Sequence, residues 1–223
     1  MKKYIILLIL ILMCLPVSAK DKYKSKLKKV SGDKNIQKAV KLLDNPVSDD
    51  SYFIILGDNP TKKNIKIEFK DLKKYGNKYA EFEALGWTNK GRLYIYINNK
   101  NKNENVYLLS SLISGRAINV DNELSINEEI YSWALEGATW GYYLKKMPEL
   151  NKLNSNLSNR ENFIYQCYSK SPQDVKYIKR LVIANSAYDN YDKTSTGYSD
   201  RDLNAKINNL YDAYAEREYV TGF

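Results

Sequence analysis

Histidine is absent from all 223 residues of this chain. Without imidazole there is no zinc site built on paired helical histidines, no Ser-His-Asp triad and no Cys-His dyad. No remaining side chain changes charge near neutral pH unless its surroundings shift it. Cysteine is nearly absent too: only Cys14 and Cys167 occur. Cys14 falls inside an expected export signal, which leaves Cys167 alone and rules out an internal disulfide. Its neighbours Phe163, Ile164, Tyr165 and Tyr168 make a mostly apolar setting. With no histidine to activate it, Cys167 reads as an inert buried thiol rather than a nucleophile. No tight Lys/Arg cluster with interleaved aromatics appears, so nucleic acid is not an expected partner.

What is present begins with the signature of export. Lys2 and Lys3 precede an apolar run from Tyr4 to Leu15, and Val17-Ser18-Ala19 forms a small-x-small cleavage site. The run is short for a membrane span and no stop-transfer pattern follows, so no stable membrane insertion is expected once the signal is cut. Met13 stands before Cys14, where a lipid-anchor site carries a small residue. The expectation is a signal peptide over residues 1–19 and an exported, periplasmic or extracellular chain from Lys20 to Phe223. That chain is long enough for one domain with a sizeable core. From Lys20 onward 33 basic residues face 26 acidic ones, a net charge of +7. A basic exported protein suits anionic walls or membrane surfaces, but abundant Lys, Asn, Ile and Tyr also fit an AT-rich genome.

The polar stretch 20–34 reads as a mobile lead-in. Ile36, Ala39, Val40 and Leu43 repeat at helical spacing over 35–43, and Asn45-Pro46 ends that helix. Four strands are expected next. Residues 51–56 are almost all apolar and read as a buried strand. Residues 64–69, 79–85 and 92–97 alternate, with Asn89-Lys90-Gly91 as a hairpin turn between the last two. The period then changes. Leu108, Leu109, Leu112, Ile113, Ala117 and Val120 fit one helix, and a short loop over 121–124 follows. Ser125-Ile126-Asn127-Glu128 is a capping box that opens a second helix running to about Lys146 before Pro148. That helix is apolar nearly all round and should be central. Further helices are expected over 159–168, from Ser171-Pro172-Gln173-Asp174 onward, and over 200–219, after a tyrosine-rich loop at 187–199. The fold class is α+β: a small, mainly antiparallel sheet of about four strands followed by a helical half.

Strands, then a helix, a short loop and a helix opening on Glu128-Glu129 make a characteristic order. Over roughly residues 51–150 it resembles the exported bacterial zincin-like metallopeptidase type of domain. In that type, histidines at i and i+4 of the first helix share a face around zinc, the glutamate at i+1 polarises water, and the second helix adds a glutamate ligand. Laid on that pattern, Gly115 stands for the first histidine, Arg116 for the catalytic glutamate and Asn119 for the second histidine. A register one turn earlier puts Ser111, Leu112 and Gly115 in those places. Glu129 matches the third ligand, since Glu129 to Ser132 fits a Glu-x-x-Ser spacing; Glu128 competes but has the cap as another task. In either register the first helix has lost its zinc set. The resemblance therefore implies a pseudoenzyme with no metal and no cofactor, in which Arg116 pairs with Glu129 or Glu136.

Three functions remain open on these residues. The first is a non-catalytic exported domain whose groove binds a peptide or an envelope protein. The second is a metal-independent hydrolase such as a glycosidase, with Glu128, Glu129 or Glu136 as acid or base. The third is a structural secreted protein with no cleft. Glu128 and Glu129 are adjacent and point to different faces of their helix, so they are not the acid–base pair themselves. Trp133 and Trp140 lie on a helix expected to be buried and read as core rather than as sugar platforms.

Overall fold

The computed structural model describes residues 19–57, 65–120, 125–185 and 198–215, with side chains from Ser25 onward. Eight helices and a three-stranded sheet make up these residues. The expected signal segment up to Ser18, the loop 121–124, most of the loop 187–199 and the end of the last helix after 215 lie outside them.

Three helices come first. The expected mobile lead-in is instead a helix, α1 (Ala19–Val30), and it is anchored because Leu27 and Val30 are buried. Asp33 caps α2 (Lys34–Leu42), its carboxylate accepting the amides of Asn35 and Ile36. The helix α3 (Asp49–Leu56) occupies the place where the apolar run predicts a strand. A short continuous apolar run fits a buried strand or a buried helix equally well. Here Asp49 and Asp50 sit in the first turn, where carboxylates favour a helix N-terminus. Helical spacing then turns Ser51 and Ile55 inward, and the Ser51 hydroxyl donates to the Ser114 carbonyl at 2.6 Å.

The sheet is mixed, with three strands among the described residues rather than about four mainly antiparallel ones. Its order is β1 (Lys66–Lys70), β3 (Arg92–Asn98), β2 (Ala84–Asn89). β2 and β3 form the expected hairpin, closed by Lys90 at φ 49° and Gly91 at φ 69°, the paired left-handed residues that a tight two-residue turn requires. β1 runs parallel to β3, so the chain between β1 and β2 must cross over. That crossing uses two short 3-10 turns, Leu72–Tyr75 and Asn77–Tyr79. The strand expected over 79–85 therefore starts only at Ala84. Tyr75, Tyr79 and Phe82 pack with Trp87, Tyr94, Tyr96, Leu72 and Leu85 on the outer face of the sheet. Ile67, Ile95 and Ile97 face the helices from the other side.

Asn105 caps α4 (Val106–Ile118). Ser125 caps α5 (Ile126–Lys146), its hydroxyl accepting the Glu128 amide at 3.3 Å. α5 is central as expected, packing against α4 and against three later helices: α6 (Asn156–Ser169), α7 (Lys176–Ile183) and α8 (Asp200–Ala215). α6 begins three residues earlier than its apolar pattern suggests, because Ser155 and Ser158 form a reciprocal capping box. Ser171 to Asp174 do not open α7; they form a turn that ends at Val175, whose amide donates to the Ser171 carbonyl. Val175 is fully buried at φ 47°. That left-handed conformation is strained for a β-branched residue, and its side chain's burial holds it there.

Candidate functional site

α4 and its C-cap present Ser111, Gly115 and Asn119 at i, i+4 and i+8, a stripe beside the buried leucines and isoleucines of the helix. α5 faces it with Glu129, Ser132 and Glu136, and all six residues are buried. The two stripes meet because Gly115 lets the backbones approach. A Cβ at that position would lie 2.7 Å from the Ser132 carbonyl oxygen and 3.0 Å from the Glu136 Cβ. The Ser132 hydroxyl donates to the Gly115 carbonyl at 2.7 Å across this contact.

At one end of the seam, Asn119 donates its side-chain amide to Glu129 Oε1 at 2.5 Å, and the Arg116 guanidinium lies 3.4 Å from the same oxygen. Arg116 is largely covered, its side chain 15% exposed, and Glu129 is fully buried. Arg116 thus pairs with Glu129, the first of its two expected partners. Glu136 has another cation. Its carboxylate is held bidentately by Arg160 of α6. The same guanidinium donates to Glu161 Oε1 at 2.7 Å, and Ser111 donates its hydroxyl to Glu161 Oε2 at 2.7 Å. Arg160 also lies over the ring of half-buried Trp133, with its guanidinium carbon 5.4 Å from the centroid. Trp140 is core, as expected.

Three carboxylates and two guanidiniums therefore share one buried seam. Burial first, and then the neighbouring Glu136 charge, push the Glu161 carboxyl well above the ordinary carboxylate range. With a proton on Glu161 the five groups balance to neutrality. Burial alone would lower the Arg160 pKa; Glu136 and Glu161 outweigh it and raise it instead. Cys167 is half-buried rather than buried, and what burial it has raises its thiol pKa.

The sequence-predicted residues converge on this seam. Gly115, Asn119, Glu129, Ser132 and Glu136 line it and Arg116 closes one end. Ser111 belongs to it as well, whereas Leu112 is plain core. Glu128 gives its backbone amide to the Ser125 cap. Arg160 and Glu161 escaped sequence reading, yet a signal existed. Glu161 falls between Leu157 and Ile164 on the apolar face of its helix, and a charge at a core position announces a buried partner.

Arginine engages Glu129 Oε1, both Glu136 oxygens and Glu161 Oε1, whereas Asn119 Oδ1 and Glu129 Oε2 are buried without a hydrogen-bond partner. Among the described residues no group of three or more His, Cys, Asp or Glu side chains is placed to hold a metal ion. Two surface hollows, of about 380 Å³ between α5, α7 and α8 and about 210 Å³ beside Asp50 and Lys206, open elsewhere; no seam residue lines them. No protein-family model, no curated protein and no solved structure matches the chain.

Proposed function

We propose that the chain is an exported, non-catalytic protein on a zincin-like frame, a pseudo-metallopeptidase that acts by binding a peptide or an envelope protein. One observation carries this reading. The positions that the resemblance assigns to histidine, Gly115 with Asn119 or Ser111 with Gly115, all face the carboxylates of α5 and α6, and arginine and asparagine occupy those carboxylates. An Arg–Glu cluster thus stands in the place of a metal. Arginine is permanently charged and cannot ligate zinc, and a carboxylate that it holds is a weak competitor for the ion.

The hydrolase alternative is less well supported. A general acid or base must reach its substrate. Glu129 is fully buried, Glu136 is 3% exposed, and each already has an arginine partner.

Metal analysis of the exported form, purified from zinc-supplemented cells, is the test. The expected result is far less than one equivalent of zinc and no peptide or glycan turnover. Stoichiometric zinc that is lost in Glu129→Gln would overturn the reading. Glycan turnover abolished by Glu136→Gln would replace it with the hydrolase.

A further inference from the structure

The net charge of this chain is concentrated in one place. Residues 20–41 hold nine lysines and two aspartates, a net charge of +7. Residues 42–223 hold 24 basic and 24 acidic residues and balance to zero. The charged segment is α1, a three-residue turn and α2, which pack against each other. Leu27, Val30, Ile36, Ala39 and Val40 point inward. Lys28 and Lys29 of α1 are exposed, as are Lys34, Lys38 and Lys41, which share one face of α2. Asp33 does not neutralise them, because its carboxylate is turned onto the amides of α2 as its cap.

An exposed apolar side chain stands beside this basic region. α3 packs on α1, and Lys26 donates to the Leu56 carbonyl at 3.2 Å. One turn back along α3 from that carbonyl is Phe53, 65% exposed. An exposed aromatic on the helix that packs against the lysine-bearing α1 fits the two-part pattern of a protein that rests on a charged bilayer, with cations at the headgroups and a ring at the acyl boundary.

We infer that the α1–α2 face, with Phe53 at its margin, docks the exported protein peripherally on an anionic phospholipid membrane. A soluble polyanion would engage the lysines but leave Phe53 in water, and for that reason the bilayer is the assigned partner. The inference uses only the export part of the proposed function. Zinc content tests the metal reading and vesicle binding tests this one, so either can fail alone. Every described core side chain lies between Leu27 and Tyr214, so the form beginning at Lys20 keeps all of them.

Flotation of that form with vesicles is the experiment. It should float with phosphatidylcholine vesicles containing phosphatidylglycerol and not with phosphatidylcholine alone. Raising the salt to about 0.5 M should release most of it. A lysine near an anionic surface strengthens binding about fivefold, so Lys28→Glu, Lys29→Glu and Lys38→Glu combined should weaken it at least about tenfold. Lys73→Glu, Lys74→Glu and Lys90→Glu combined, also exposed but on the sheet side, should leave it nearly unchanged. Phe53→Ser should lower the fraction that survives high salt. Equal binding to neutral vesicles, no binding, or equal loss in the two triple variants would overturn the inference. Complete displacement by polyphosphate with Phe53→Ser silent would assign the face to a soluble polyanion instead.

Discussion

A methyl group on Gly115 would meet the Ser132 carbonyl at 2.7 Å and the Glu136 side chain at 3.0–3.1 Å. Neither can retreat cheaply, since Ser132 is helix backbone and Glu136 is gripped by Arg160. Alanine gains about 1 kcal/mol of helix propensity over glycine, whereas overpacking costs about 1–3 kcal/mol. Gly115→Ala should therefore lower the urea midpoint despite its better propensity, and a raised midpoint would refute the close-approach account. A glycine inside a helix is unfavourable by propensity alone; what Gly115 serves, the contact of two helix backbones, is tertiary. Arg160 makes a sharper case. Removing it leaves Glu136 and Glu161 buried beside each other without a cation. Arg160→Met should cost about 3–5 kcal/mol at neutral pH. Adding Glu136→Leu and Glu161→Met to it should restore most of that loss, because the uncompensated Glu136 charge and the buried Glu161 carboxyl go too. Urea unfolding of the single and triple variants checks both halves.

Helix ends decide several of the element boundaries. The cap at Ser125 was legible, since serine followed three residues later by glutamate is the usual box. The cap at Ser155 was not, because Ser158 plays the glutamate's part. The Ser155 hydroxyl also donates to Glu104 at 2.9 Å, tying the start of α6 to the start of α4. Ser155→Ala should cost about 1–2 kcal/mol, read as a fall in thermal midpoint. An unchanged midpoint would show that the box is dispensable. α3 was illegible for a different reason. Its apolar run carries no period, and Asp49 and Asp50 in the first turn are only a local cue for a helix start, so packing on α4 through Ser51 and Ser114 completes the choice of helix over strand. The crossing between β1 and β2 misled in the same way. Residues 79–85 alternate like a strand, with Ala80, Phe82 and Ala84 on one face, but Tyr75 and Tyr79 in 3-10 turns and Phe82 just after them cover the outer sheet face instead.

Across the whole molecule, the buried carboxyl of Glu161 makes stability depend on pH. In the unfolded chain a glutamate releases its proton at about pH 4.3. In the fold, burial and Glu136 hold that proton to a higher pH. Between the two values the native state binds more protons than the unfolded one, so stability falls as pH rises. This contribution is fully present below the ordinary glutamate range and is lost as pH climbs through the raised native value. Glu161→Gln should flatten that decline, and urea midpoints taken at steps from acid to neutral pH measure it. Parallel curves for the two proteins would mean that Glu161 ionises normally.

The sequence by itself determined the helical half, the β2–β3 hairpin, the central place of α5 and the concentration of positive charge in 20–41. These are set by period, turn chemistry, local spacing and composition, all readable along the chain. The tertiary structure decided between strand and helix for α3, that β1 runs parallel to β3, and that Arg160 and Glu161 complete the seam around Glu136. Each depends on contacts between residues distant in sequence, Ser51 with Ser114, Ile67 with Ile95 and Glu136 with Arg160, and no local pattern encodes which partner a buried group will find.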